Sequence, residues 1–97
     1  MRESKVLHTP HLSVRIGSNP NNLSRFSFVI SKKISKHATK RNAIRRKGYV
    51  SLAHLMNEVK PGLVGLFFAK KGAEVLSQAS LENEIREIFA RSGNLIT

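Results

Sequence analysis

From residue 11 to residue 16 the chain alternates strictly. Leu12, Val14 and Ile16 fall on one side, and His11, Ser13 and Arg15 on the other. A period of two predicts a half-buried β-strand with one wet face. Residues 25–31 repeat the pattern, with Phe26, Phe28 and Ile30 inward and Ser27, Val29 and Ser31 outward. The turn-rich run from Gly17 to Asn22 predicts that these two strands pair antiparallel around a loop of about eight residues. Residues 6–8 form a shorter candidate strand, stopped before Pro10, which lacks a ladder donor. A helical period follows over residues 39–58, with Thr39 as N-cap and Ile44, Leu52, Leu55, Met56 and Val59 in one stripe. Gly48 interrupts it, which predicts a bend or close packing against the sheet. Pro61-Gly62 ends the helix. Leu63–Ala69 is continuously apolar, as in a strand buried on both faces. A last helix, capped by Ser80 with Glu82 and Glu84 in its first turn, runs to Arg91, and Gly93 stands where a terminating glycine belongs. Strand, helix, strand implies a parallel crossover. The predicted fold is α+β: one domain over residues 1–97, with a mixed sheet of about four strands, a basic helix inside a β-α-β crossover and a C-terminal helix.

Charge sharpens the picture. The 97 residues carry a net charge of +11, all of it from the first half: residues 1–50 hold 12 Lys/Arg against Glu3 alone. From Lys32 to Lys47 there are eight cations and no acid. Such crowding destabilises a fold unless a polyanion neutralises it, and nucleic acid does so with release of counterions. Cations at a helix N-terminus also oppose the macrodipole, by roughly a few tenths of a kcal/mol each. Stability alone would not put them there. Arg41 and Arg45 lie one turn apart, Asn42 adds a donor and an acceptor, and Lys40, Arg46 and Lys47 fan to other sides, an arrangement suited to a folded RNA. The candidate RNA-binding set is Lys32, Lys33, Lys36, Lys40, Arg41, Asn42, Arg45, Arg46 and Lys47. His11 and Arg15, on the wet strand face, form a second candidate surface for a single strand.

Catalytic signals are poor. With no cysteine and no aspartate, the chain has no disulfide, no cysteine nucleophile and no paired-Asp metal site. Its four His share no ligand spacing, so neither catalytic nor metal-ligating residues are expected. No apolar run is long enough to span a bilayer and the N-terminus lacks a secretory h-region, so a cytoplasmic protein without membrane attachment is expected.

From Phe28 to Arg46 (FVISKKISKHATKRNAIRR) the chain resembles the protein subunit of bacterial ribonuclease P. Ser31-Lys32-Lys33, then Arg41-Asn42, match that family's strand end and helix start, and Arg45 and Arg46 match its next basic pair. The resemblance implies a left-handed crossover and a protein without catalytic residues that steadies a catalytic RNA and grips the 5′ leader of precursor tRNA. It also implies a monomer in a 1:1 ribonucleoprotein, with Mg2+ entering through the RNA and no cofactor held by the protein alone. Arg41, Asn42, Arg45 and Arg46 would touch the RNA subunit, with Lys32, Lys33 and Lys36 beside them. Three departures stand out. Ala43 and Tyr49 occupy positions where the family has Arg, Ser13 and Arg15 stand where it often has apolar or aromatic residues, and its N-terminal helix has no counterpart. His11, Arg15 and Tyr49 are then the side chains left for a leader, held weakly. The alternative is a small ribosomal or other structural RNA-binding protein without a catalytic partner. A DNA-binding regulator fits less well, for want of a helix just before the basic one.

Overall fold

The computed structural model describes residues 2–19 and 23–96. Strands β1 (Arg2–His8), β2 (Leu12–Ser18) and β3 (Arg25–Val29) precede helix α1 (Ala38–Leu55). A 3-10 turn (Met56–Glu58), strand β4 (Leu63–Ala69), a second 3-10 turn (Ala73–Val75) and helix α2 (Gln78–Arg91) complete the order. The four strands form one mixed sheet in the order β1-β2-β4-β3. β4 pairs antiparallel with β2 and parallel with β3, so α1 does lie in a parallel crossover.

The expected β2–β3 hairpin does not form, because β4 lies between the two strands. Residues 20–22 of the expected turn lie outside the described residues, but Asn19 before them and Ser24 after them both bond the start of β4. The Asn19 N–H donates to the Gly62 carbonyl, and the Ser24 hydroxyl accepts from the N–H groups of Gly62 and Leu63. Nor is β4 buried on both faces. Leu63, Gly65 and Phe67 are buried, Val64 and Leu66 only partly, and Phe68 is 41% exposed. Its unbroken apolar run reflects pairing on both edges rather than cover on both sides. β1 begins earlier than residue 6, with an irregularity in its pairing between Arg2 and Lys5.

Both helices pack on one side of the sheet. The core joins Leu12, Val14 and Ile16 of β2 and Phe28 of β3 to Leu52 and Leu55 of α1 and Leu81, Ile85, Ile88 and Phe89 of α2. Phe67 stacks on Phe28 (centroids 4.9 Å, 10° between planes) and meets Phe89 edge-on at 6.3 Å. Aromatic pairs of this kind are worth about 0.5–1.5 kcal/mol beyond burial. Ser77, not Ser80, caps α2, its hydroxyl accepting from the Ser80 N–H at 3.1 Å. The helix starts a turn earlier because the Gln78 amide is drawn to the Lys47 carbonyl (2.9 Å) and Ser51 hydroxyl (2.6 Å) of α1. Glu82 and Glu84 therefore lie beyond the first turn. At the other end Gly93 (φ +75°) takes the left-handed position, with Asn94 N–H on Phe89 O and Gly93 N–H on Ala90 O closing a Schellman motif.

Gly48 serves close packing. A Cβ there would lie 2.6 Å from the Phe28 ring, which its stack on Phe67 keeps from yielding. Gly48→Ala should therefore destabilise the protein by up to about 2 kcal/mol, an overpacking cost of about 1–3 kcal/mol less the roughly 1 kcal/mol that alanine gains in a helix. Urea unfolding checks this, and a variant as stable as the parent would contradict it.

Candidate nucleic-acid interface

α1 begins at Ala38 with His37 at its cap, where no side chain bonds the free N–H groups and no acid occupies the first turn. Thr39, the expected cap, lies inside the helix. The N–H groups of Lys40 and Arg41 both donate to the His37 carbonyl at 3.1 Å, which sets the start one residue early. Lys40 and Arg41 thus sit in the first turn of an uncapped, partly positive helix end, with Lys36 just before it and Arg45, Arg46 and Lys47 about two turns further along. Lys32, Lys33, Lys36, Lys40 and Arg46 are exposed, with no hydrogen bond or ion pair on their side chains among the described residues.

The other four members of the set, Arg41, Asn42, Arg45 and Lys47, are held. The Arg41 guanidinium donates to Ser35 O (2.9 Å), fastening the preceding turn to the helix. Arg45 donates from Nη1 to Asn42 Oδ1 (2.7 Å) and from Nε to the Phe28 carbonyl (3.4 Å). Lys47 points the other way, its ammonium on the Leu76 carbonyl at 3.2 Å. Lys40 and Lys47 accordingly flank α1 on the side of the second 3-10 turn, and Arg41 and Arg45 on the side of β3.

The residues expected to share a single-strand surface are separated. Arg15 is exposed on the open face of the sheet. His11 precedes β2 and turns to the helical side, its Nδ1 2.9 Å from Glu84 Oε1. Glu84 also accepts from the His11 N–H (2.9 Å) and the Thr9 hydroxyl (2.7 Å). Alternation put His11 on the wet face, but the strand begins only at Leu12, so parity does not govern it. Tyr49 lies at the sheet edge, where its hydroxyl accepts from the Phe28 N–H at 3.3 Å and its ring meets Phe28 at 5.8 Å and 70°. With Arg45, Tyr49 covers the unpaired side of β3 at Phe28.

A shallow groove on the open face is lined by Val6, Ser13, Arg15, Leu66 and Phe68 among others. Phe68 was not among the residues singled out from the sequence. Its signal was there: with Phe67 inward, period two turns Phe68 outward once one face is open. Among the described residues no three His, Cys, Asp or Glu side chains are placed to hold a metal ion, and no helix is long and apolar enough to cross a membrane.

The profile of the Ribonuclease P family matches residues 1–93. The ribonuclease P protein component of Synechococcus elongatus is 32% identical over 96 residues, covering 94% of this chain and 79% of that protein. That of a Synechocystis species is 26% identical over 86 residues, covering 89% and 69%. In structure, the RNase P protein of Thermotoga maritima superposes with a TM-score of 0.82 at 18% identity, over 93% of this chain and 84% of that one. The Staphylococcus aureus RNase P protein gives 0.80 at 15%, over 94% and 83%. The chain belongs to the ribonuclease P protein family. It is a protein subunit of ribonuclease P, part of a ribonuclease of tRNA processing.

The Glu84 cluster carries a pH dependence. Burial pushes its carboxyl up, but hydrogen bonds from the His11 ring, the Thr9 hydroxyl and the His11 N–H, with the charge of His11, together hold it below the ordinary 4.5. A carboxyl whose folded pKa is depressed stabilises the fold above its unfolded value, and that contribution is lost as pH falls through the folded one. Glu84→Ala should cost roughly 1.5–3 kcal/mol at pH 7, as for hydrogen bonds to charged groups, and the gap to the parent should shrink as pH falls below the ordinary carboxylate value. Urea titrations from pH 7 to 3 test this. A gap that does not change with pH would contradict it.

Proposed function

We propose that this subunit binds and steadies the catalytic RNA of ribonuclease P and assists removal of the 5′ leader from precursor tRNA, the RNA carrying the chemistry. The observation behind this reading is the run of eight cations without an acid, carried through the uncapped start of α1 in a chain of this family. Exposed Lys32, Lys33, Lys36, Lys40 and Arg46 are the mobile phosphate contacts. Arg41, Asn42 and Arg45 are pre-set ones, and Lys47 reaches RNA only by leaving the Leu76 carbonyl. Mg2+ enters with the RNA, and the complex holds one protein per RNA in the cytoplasm. The leader lies along the open sheet face, with Arg15 on a phosphate and Phe68 under a base. His11, spent on Glu84, contributes nothing to it.

Protein alone should leave precursor tRNA uncut, and adding the cognate RNA subunit at low magnesium should restore 5′ processing. Cleavage by RNA-free protein that survives repurification would overturn the reading. With six to eight cations on phosphates, the slope of log K against log salt should be about −4 to −7. Arg41→Ala and Arg46→Ala should each weaken RNA-subunit binding by roughly 1–3 kcal/mol, while Lys60→Ala and Lys71→Ala change it little. Equal losses at all four positions would mean that α1 is not the principal surface.

For the leader, Phe68→Ala should weaken holoenzyme binding of a precursor with a leader of about eight nucleotides by the roughly 1–3 kcal/mol of one base stack, and leave a one-nucleotide leader unaffected. A loss independent of leader length would place Phe68 outside the leader path.

A further inference from the structure

Beyond Arg46 the outward side of α1 changes character. Tyr49 is 43% exposed and Val50 38% exposed. With Asn42, Arg45, Arg46 and Ala53 they line a shallow concavity on the helix, separate from the groove on the open sheet face. Helical spacing sets Arg46 beside Tyr49 and Val50, and Ala53 beside both of these, at i,i+3 and i,i+4. Tyr49 serves the fold through its hydroxyl on the Phe28 N–H and its ring against Phe28, yet much of it stays exposed beside Val50, an apolar patch that phosphate contact alone does not call for.

We propose that this concavity is a platform for one unpaired nucleotide of the RNA subunit, its base against Tyr49 and Val50 and its flanking phosphates on Arg45 and Arg46. The inference rests on the RNA-binding reading above and adds to it a base contact at a named ring. Charge decides the occupant, since the rim toward the helix N-terminus is cationic and the floor is apolar, which matches the two halves of a nucleotide. A paired RNA helix does not offer a base face, so the nucleotide is an unpaired one. The platform is also built in advance. The Tyr49 hydroxyl is fixed on the Phe28 N–H, and Arg45 is fixed on the Phe28 carbonyl and on Asn42. Side chains immobilised before binding need not be ordered during it.

Tyr49 is the chain's one tyrosine and there is no tryptophan, so intrinsic fluorescence of the full chain reports this ring alone. Titration with the cognate RNA-subunit transcript, corrected for RNA absorption, should quench that emission along the binding curve. Tyr49→Phe, which keeps the ring, should bind within about twofold of the parent, and Tyr49→Leu should lose roughly 5- to 150-fold, the worth of one base stack. Tyr49→Leu should leave the salt slope unchanged, whereas Arg46→Ala should reduce it by about 1. Failure of the transcript to bind at low salt would overturn the RNA-binding reading and the platform with it. Binding with unquenched emission would leave that reading standing and overturn the platform alone. So would emission that changes with protein concentration in the absence of RNA, which would assign the patch to a second copy of the chain. Tyr49→Leu equal to the parent in affinity would do the same.

Discussion

The seating of Phe28 between β4 and α1 organises this molecule. Its ring stacks on Phe67, and α1 comes close enough to touch it only because residue 48 has no side chain. That contact fixes the rotation of α1 about its own axis. Once Gly48 faces Phe28, Ile44, Ser51, Leu52 and Leu55 turn into the core, and Arg41 and Arg45 come to lie beside β3. The display of cations is thus a packing outcome before it is an electrostatic one.

The electrostatics run against the fold. An uncapped helix start crowded with like charges and lacking any acid loses several small stabilising terms together. The second half of the chain offsets some of this with local ties: His54 of α1 to Glu82 of α2 at 2.7 Å, Gln78 across to Ser51, and Glu84 to the turn between β1 and β2. The acids that might have neutralised the basic helix are instead spent holding the scaffold behind it. The cationic end stays open to an outside anion.

Much of the fold was legible because alternation and helical period are local. The inward Phe26, Phe28 and Ile30, the core stripe of α2, the close approach at Gly48 and the glycine stop at Gly93 could all be read from neighbours within a turn or a strand. Strand order could not. That β3 pairs with β4 and not β2 goes with contacts some 40 residues apart, where the Ser24 hydroxyl accepts from Gly62 and Leu63 and the Asn19 N–H donates to Gly62, and no spacing in the sequence encodes them. The same limit applied to the site. The cationic set was plain from composition, but the destination of each side chain was not: Lys47 to Leu76, His11 to Glu84, Tyr49 to the edge of β3. Phe68 was hidden by reading a strand paired on both edges as one covered on both faces.

The two outer strands of the sheet, β1 and β3, each carry backbone groups with no neighbouring strand. Such borders recruit strands from other molecules, and natural sheets guard them. Here the guards differ. β1 has an irregular register near Lys5, which spoils it as a template. At β3 the Phe28 N–H and carbonyl are taken by Tyr49 and Arg45. Two side chains beside the proposed RNA surface therefore also occupy the backbone groups through which a foreign strand would add to β3, so a substitution at either position alters the guarding of the sheet border as well as the cationic surface.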